Sequence, residues 1–357
     1  MSQMYANIGV HFMNSNNSNL LPEKFITIDE HKIRYLDYNR RFKRSYNRHP
    51  VLVLLHGIGA SCERWLKVAR ILSKYFRIII PDIIGFGDSD KPVTVEYSMG
   101  FFTSFIQAFL EKLHIERPII CGHSFGGHLA TEFAIRFSDH VEKLILTAPA
   151  GPRRHINDIF VQYVTAAMRP TYEVIYEAFK NMAFNPNFVT QDTVLDFKRR
   201  MNLAHAKFAF MSTLLGIQNA GALKGRLLRI TSPTLIVWGE NDRMTPYDEY
   251  LQEYNEIPKN DIQKINHCGH TPFVEKPIKF NAVLLKFLTG KNLYSLLFRQ
   301  MADDDRENEK NVHICVKCHQ CAQCGCLVEC PQERCFYGVK TFRILQCRRC
   351  QGYWMDR

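Results

Sequence analysis

The sequence predicts an α/β fold with a mostly parallel sheet covered by helices on both faces. Continuous apolar runs at 51–55, 77–80, 118–121, 141–146 and 234–238 have the length and Ile/Val/Leu content of strands buried on both sides. Segments of helical periodicity at 62–74, 99–113, 126–137 and 247–256 separate them. Such alternation places helices above and below a parallel sheet. Ahead of the first run, FITIDEHKIRYLD alternates apolar and polar residues around a turn-like Asp29-Glu30-His31, the pattern of an opening β-hairpin.

Length and composition set the organisation. A chain of 357 residues exceeds what one core usually accommodates, so one large domain and a small module are expected. Residues 1–23 are polar and Asn-rich, read as a disordered leader; without a charged start and apolar run they do not resemble a secretory signal, and a cytoplasmic location is expected. The large domain spans 24–298, and from about 153 to 223 the strand rhythm yields to helical segments rich in Phe, Tyr and Met, at 156–168, 172–184 and 191–215, read as an inserted cap. A charged linker at 299–312 leads into a cysteine-rich module at 313–357. No apolar stretch reaches the roughly 18 residues of a membrane span. The net charge of +11 would suit an acidic partner, but a solvated basic surface is the preferred reading.

Chemistry concentrates where strands end. Gly122-His123-Ser124-Phe125-Gly126 follows a strand and opens a helix, the setting of a nucleophile elbow in which small neighbours permit a strained serine backbone. A serine hydroxyl needs a base to take its proton and a carboxylate to orient that base. Asp242 follows the run ending at Trp238, and His270 lies in Gly269-His270-Thr271-Pro272-Phe273 beyond the short strand at 262–265. Asp242 is preferred over Glu240, and the strand before it ends in Thr147-Ala148-Pro149-Ala150 with no carboxylate. His270 is preferred over His267, which lacks the Gly-His-x-Pro setting. Two backbone donors for an oxyanion are expected from Ile58, in the loop after the first buried strand, and from Phe125.

His56 to Gly59, the Pro81 to Ser89 loop, the Ser124 elbow, the Asp242 loop and Gly269 to Pro277, in that order, resemble the α/β-hydrolase family of capped esterases and C–C hydrolases. The resemblance implies a Ser124/Asp242/His270 triad that hydrolyses a carboxylic ester or related acyl bond of a small molecule with an apolar part, without an organic cofactor. C–C hydrolysis of a dienoate-type substrate is the alternative. Family members of that kind usually carry Gly-Pro-Gly where this chain has Gly59-Ala60-Ser61, so the ester leads. A non-catalytic binding role for the fold, with the tail as partner contact, stands as a third possibility that a complete triad argues against.

Other residues have plainer readings. His56 is expected to brace the oxyanion loop, His123 to pack near the pocket, and Asp82, Gly85, Gly87 and Asp88 to shape a tight loop. Phe160, Tyr163, Phe208 and Phe210 are read mainly as core, with one or two lining an acyl pocket. Arg153, Arg154, Lys198, Arg199 and Arg200 are read as ordinary helix-surface charges before an anionic substrate is invoked.

Nine of the 12 cysteines lie between Cys315 and Cys350, many at CxxC spacing, which in this context indicates metal more than disulfides. Cys321, Cys324, Cys347 and Cys350 are the expected ligands of a structural zinc; Cys315, Cys318, Cys330 and Cys335 form a possible second set. The two knuckles, separated by a strand-like stretch at 338–345, resemble the zinc-ribbon family of the transcription factor IIB type. An iron–sulfur reading is less favoured because the usual run of spacings is not met. Ribbons of this kind contact protein or nucleic acid, but the tail's balanced charge shows no evident phosphate grip.

Overall fold

The computed structural model describes residues 23–38, 50–151, 156–291, 343–346 and 353–356. The opening hairpin is β1 (Glu23–Ile28) and β2 (His31–Tyr38), joined by Asp29 and Glu30 at φ 45° and 69°. Two consecutive positive φ values match the right-handed twist of the flanking strands. The strands β3 (Val51–Leu55), β4 (Arg77–Pro81), β5 (Ile119–His123), β6 (Lys143–Thr147), β7 (Thr234–Gly239) and β8 (Asn260–Ile265) complete an eight-stranded sheet in the order β1-β2-β4-β3-β5-β6-β7-β8. Only the β1–β2 and β2–β4 pairings are antiparallel; β4 through β8 run parallel. All parallel strands therefore end at one edge, where chemistry gathers in open α/β sheets.

Strand side chains alternate between two cores because successive Cβ atoms point to opposite faces. Val53, Leu55, Ile79, Ile120, Leu144, Leu146 and Ile236 share one face with α2 (Met99–Lys112) and α3 (Phe125–Arg136). Leu52, Leu54, Ile78, Ile80, Cys121, Ile145 and Val237 share the other with α1 (Leu66–Leu72) and, near the chain's end, Phe280, Leu284 and Leu285 of a C-terminal helix at Pro277–Thr289. Cys62, Cys121 and Cys268 are buried free thiols.

Four helices form the cap: α4 (Asp158–Met168), α5 (Tyr172–Met182), α6 (Gln191–Met201) and α7 (Ala206–Gln218). Asn157, Thr171 and Thr190 cap the first three by accepting from the amide three residues on. The sequence suggested one helical segment over 191–215, and the structure breaks it before His205, at φ 62°. The break lets Phe197 of α6 and Phe210 of α7 both close on Gly59, their rings 3.1 and 3.2 Å from where a Cβ would stand. In one straight helix those residues would lie about 20 Å apart. After the cap come α8 (Tyr247–Tyr254), the short α9 (Pro272–Glu275) and the Pro277–Thr289 helix, α10.

A buried ionic knot fixes the sheet's antiparallel side to the loops above it. Arg34 on β2 bonds Asp82 at 3.1 Å, Asp88 at 3.3 Å, Glu23 at 2.7 Å and Glu63. Asp82 also accepts from the amides of Cys62 (2.7 Å) and Asp88 (2.8 Å), and Gly87 leaves room for its carboxylate. Asp82 and Asp88 thus take the structural role expected of them.

The tail contributes β9 (Arg343–Gln346) and β10 (Tyr353–Asp356), an antiparallel pair with Arg343 opposite Asp356. Strand character was expected at 338–345. All the tail cysteines fall outside the described residues, as do residues 1–22 of the expected leader, the linker, Arg153 and Arg154. No helix among the described residues is long and apolar enough to cross a membrane.

Removing a partner from a buried ion pair strands the other charges. Arg34→Ala is expected to cost about 3–5 kcal/mol in urea unfolding, against about 0–1 kcal/mol for Lys180→Ala, which breaks an exposed pair.

Candidate active site

Ser124 stands between β5 and α3 with φ 53° and ψ −118°, a conformation costly for a residue with a Cβ, on the order of 1–3 kcal/mol. The surroundings impose it. A Cβ on Gly122 would lie 2.0 Å from the Gly126 carbonyl oxygen, and one on Gly126 would lie 2.5 Å from those of Leu55 and His56. Backbone bonds from Ser124 N to Thr147 O (3.0 Å) and from Ala150 N to Ser124 O (2.9 Å) tie the turn to the end of β6.

His270 Nδ1 lies 2.8 Å from Asp242 Oδ2. The carboxylate is held independently: its Oδ1 accepts from the amides of Met244 (2.8 Å) and Thr245 (3.0 Å), and its Oδ2 from the Thr245 hydroxyl (2.8 Å). Both residues are buried, so bulk water does not compete for the bond. With Nδ1 directed at the carboxylate, Nε2 is the nitrogen left for a proton from another group. Ser124 and His270 line the same cavity.

The histidine is also fixed through its backbone. His270 N donates to Met182 O in the cap (3.2 Å), and His123 Nε2 donates to His270 O (2.8 Å). Burial, then the neighbouring His270, push the His123 pKa well down, which keeps that ring neutral beside the base. Glu275, buried in the same loop, accepts from the amides of Gly269 (3.1 Å) and Phe184 (2.8 Å), and more weakly from Thr271 (3.4 Å). Burial raises its pKa while these amide bonds oppose the rise. Thr245 and Glu275 were not singled out in the sequence, although Glu275 belongs to the same nine-residue stretch as His270; nothing in spacing shows that a carboxylate turns back onto amides.

Local structure leaves unused two backbone amides beside the elbow. Ile58 occupies the second position of a turn closed by Ala60 N to Gly57 O at 3.1 Å, so the turn leaves its N–H over. Phe125 is the first residue of α3, where an N–H has no partner within its helix. The Ile58 carbonyl accepts from Tyr163 Oη of the cap at 2.6 Å. His56 donates from Nδ1 to Gly57 O (2.8 Å) and accepts at Nε2 from Ile83 N (3.0 Å). Burial lowers its pKa, so it is a neutral brace with both nitrogens occupied.

The cavity measures about 550 Å³ and is walled by both the sheet edge and the cap. Phe160 and Tyr163 line it, as do Phe179 and Phe197; Phe210 is buried behind Tyr163 and Phe208 faces outward. Arg200 lines it too, unlike the surface residue expected, and so does Arg64, which the sequence did not single out. Arg199 instead grips Asp88 at 2.7 and 3.0 Å. His267 does not line the cavity and packs against Phe184 at 5.3 Å.

Among the described residues, Cys62, Glu63 and Asp82 bring ligand-type atoms within 4.8 Å of one another. That grouping does not fit a metal ion, because the Arg34 guanidinium already pairs with both carboxylates and burial raises the Cys62 thiol pKa far up.

The alpha/beta hydrolase fold family matches residues 50–277, and the chain belongs to it. Among curated relatives, the 2-hydroxy-6-oxononadienedioate/2-hydroxy-6-oxononatrienedioate hydrolase 1 of Pseudomonas putida is 26% identical over 280 residues, covering 74% of this chain and 96% of that protein. Among solved structures, the meta-cleavage product hydrolase of Pseudomonas fluorescens IP01 is 24% identical with a TM-score of 0.66, covering 75% of this chain and 97% of that one. A membrane phospholipase A is 25% identical with a TM-score of 0.64, covering 76% and 86%.

Glu275→Gln should place an amide donor against backbone donors. It is expected to lower the thermal midpoint, with a loss of about 1–3 kcal/mol, and to release the Phe184 segment, seen as faster hydrogen exchange at 182–185.

Proposed function

We propose that the chain is a serine hydrolase that cleaves a carboxylic ester through an acyl-enzyme. Ser124 Oγ attacks the carbonyl carbon as His270 Nε2 takes its proton, and Asp242 steadies the imidazolium that results. The tetrahedral oxyanion rests on the Ile58 and Phe125 amides, aided by the positive end of α3. Collapse expels the alcohol, protonated by His270; water, deprotonated by the same nitrogen, then attacks the acyl-enzyme and frees Ser124. The observation that carries this reading is the buried His270–Asp242 bond opening on the cavity that Ser124 also lines.

Cleavage of a carbon–carbon bond beside a ketone is the second reading, favoured by the Pseudomonas putida relative, 96% of whose length is matched. The same residues would serve, with a carbanion equivalent leaving in place of an alkoxide. For the tail, the CxxC pairs Cys321/Cys324 and Cys347/Cys350 support a structural zinc, with Cys315, Cys318, Cys330 and Cys335 as further ligands.

Steady-state hydrolysis of p-nitrophenyl esters of increasing acyl length is the test of the ester reading. Wild type is expected to turn over, and Asp242→Asn to lose about 10⁴-fold in kcat because the wrong imidazole tautomer faces the serine. Turnover of a 2-hydroxy-6-oxo-dienoate with none of the esters would replace the first reading by the second. The purified full chain should carry about one zinc per molecule or more by elemental analysis, lost on Cys347→Ser/Cys350→Ser.

A further inference from the structure

A second cleft lies on the side of the sheet that carries α2 and α3. It measures about 400 Å³, within the range of small-molecule sites, and shares no lining residue with the Ser124 cavity. Three parts of the chain meet there: the start of α2, the end of α3, and the end of α7 with the segment that follows it to Arg229. Two of them bring guanidinium groups, Arg136 from α3 and Arg226 and Arg229 from the segment after α7.

The protein answers one of these three charges. Arg226 grips the buried Glu132 with two nitrogens. Arg136 spends one nitrogen on uncharged oxygens, 3.2 Å from Thr103 Oγ1 and 3.5 Å from Gly100 O and Ser104 Oγ, and its guanidinium carbon lies 5.3 Å from the centre of the Phe137 ring. That side chain is held in place without a counter-charge. Neither Arg136 nor Arg229 makes an ion pair among the described residues. The other carboxylate of the lining is the exposed Glu96, so three cations face two anions, one of them already engaged.

We propose that this cleft binds the phosphate group of a small molecule, with Arg136 and Arg229 as donors beside the Arg226–Glu132 pair. Guanidinium forks arriving from different elements offer donors in more than one plane. A single fork uses up both oxygens of a carboxylate, whereas a phosphate has oxygens left for a second. The site stands independently of the chemistry at Ser124, yet α7 touches both: Ile217 and Gln218 line the Ser124 cavity, Gly216 and Asn219 the cleft.

Calorimetric titration of the full chain with glycerol 3-phosphate, inorganic phosphate and glycerol reads the site. Saturable binding of glycerol 3-phosphate and none of glycerol is expected. Arg136→Gln should weaken it roughly 10-fold or more and Arg136→Gln/Arg229→Gln further, with Arg136→Lys between wild type and Arg136→Gln. Both arginines are exposed, so the variants are expected to fold, which circular dichroism checks. Arg70→Gln removes an exposed arginine of α1, on the opposite side of the sheet, and should leave binding within about twofold. Tighter binding of glycerol 3-phosphate than of inorganic phosphate assigns the site to a phosphomonoester, and otherwise to phosphate itself; both uphold the proposal. No saturable binding of either phosphate, binding that the folded double variant keeps, or an equal loss in Arg70→Gln overturns it.

Discussion

The candidate site depends on how tightly the turn between β5 and α3 is pressed between its neighbours. Ser124 holds a positive φ because the chain has no room to do otherwise: Gly122 and Gly126 meet carbonyl oxygens at distances no Cβ could occupy. The same crowding sets the Phe125 amide at the start of α3 and brings the β3 loop, with Ile58, against the elbow. A larger residue at either glycine would move the hydroxyl and both amides together. Backbone strain at this point is therefore inseparable from the arrangement of groups around it.

The second constraint is the loop that carries His270. It is anchored below by Asp242 and above by the cap, through Met182 O and through Glu275, which bridges the Gly269 amide and Phe184. Tyr163 repeats the arrangement on the other side, reaching from the cap to the Ile58 carbonyl. Cap and sheet edge are thus joined at both the base and the oxyanion loop, so a shift of the cap is felt where proton transfer and charge stabilisation would occur.

Much of this was legible in the sequence, because its strongest signals are local. Buried parallel strands announce themselves as apolar runs, and a Gly-x-Ser-x-Gly between strand and helix marks a turn whose geometry is nearly dictated. Asp242 and His270 could be placed since each follows a strand of the same parallel set. The less legible parts depend on tertiary approach. The break before His205 goes with the convergence of Phe197 and Phe210 on Gly59, a contact between distant parts of the chain. Arg200 reads as one charge in a basic helix end, and only the fold turns it inward, opposite an Arg64 lying 136 positions earlier by residue number. No periodicity encodes that meeting.

The proposed chemistry requires Ser124 to be an activated nucleophile. Treatment of the full chain with a fluorophosphonate, followed by mass mapping of the adduct, reads that activation. A single phosphonylated residue, Ser124, is expected, with modification abolished by Ser124→Ala and strongly slowed by His270→Ala. A well-folded protein that takes up no label, or takes it at another residue with Ser124 untouched, would contradict it.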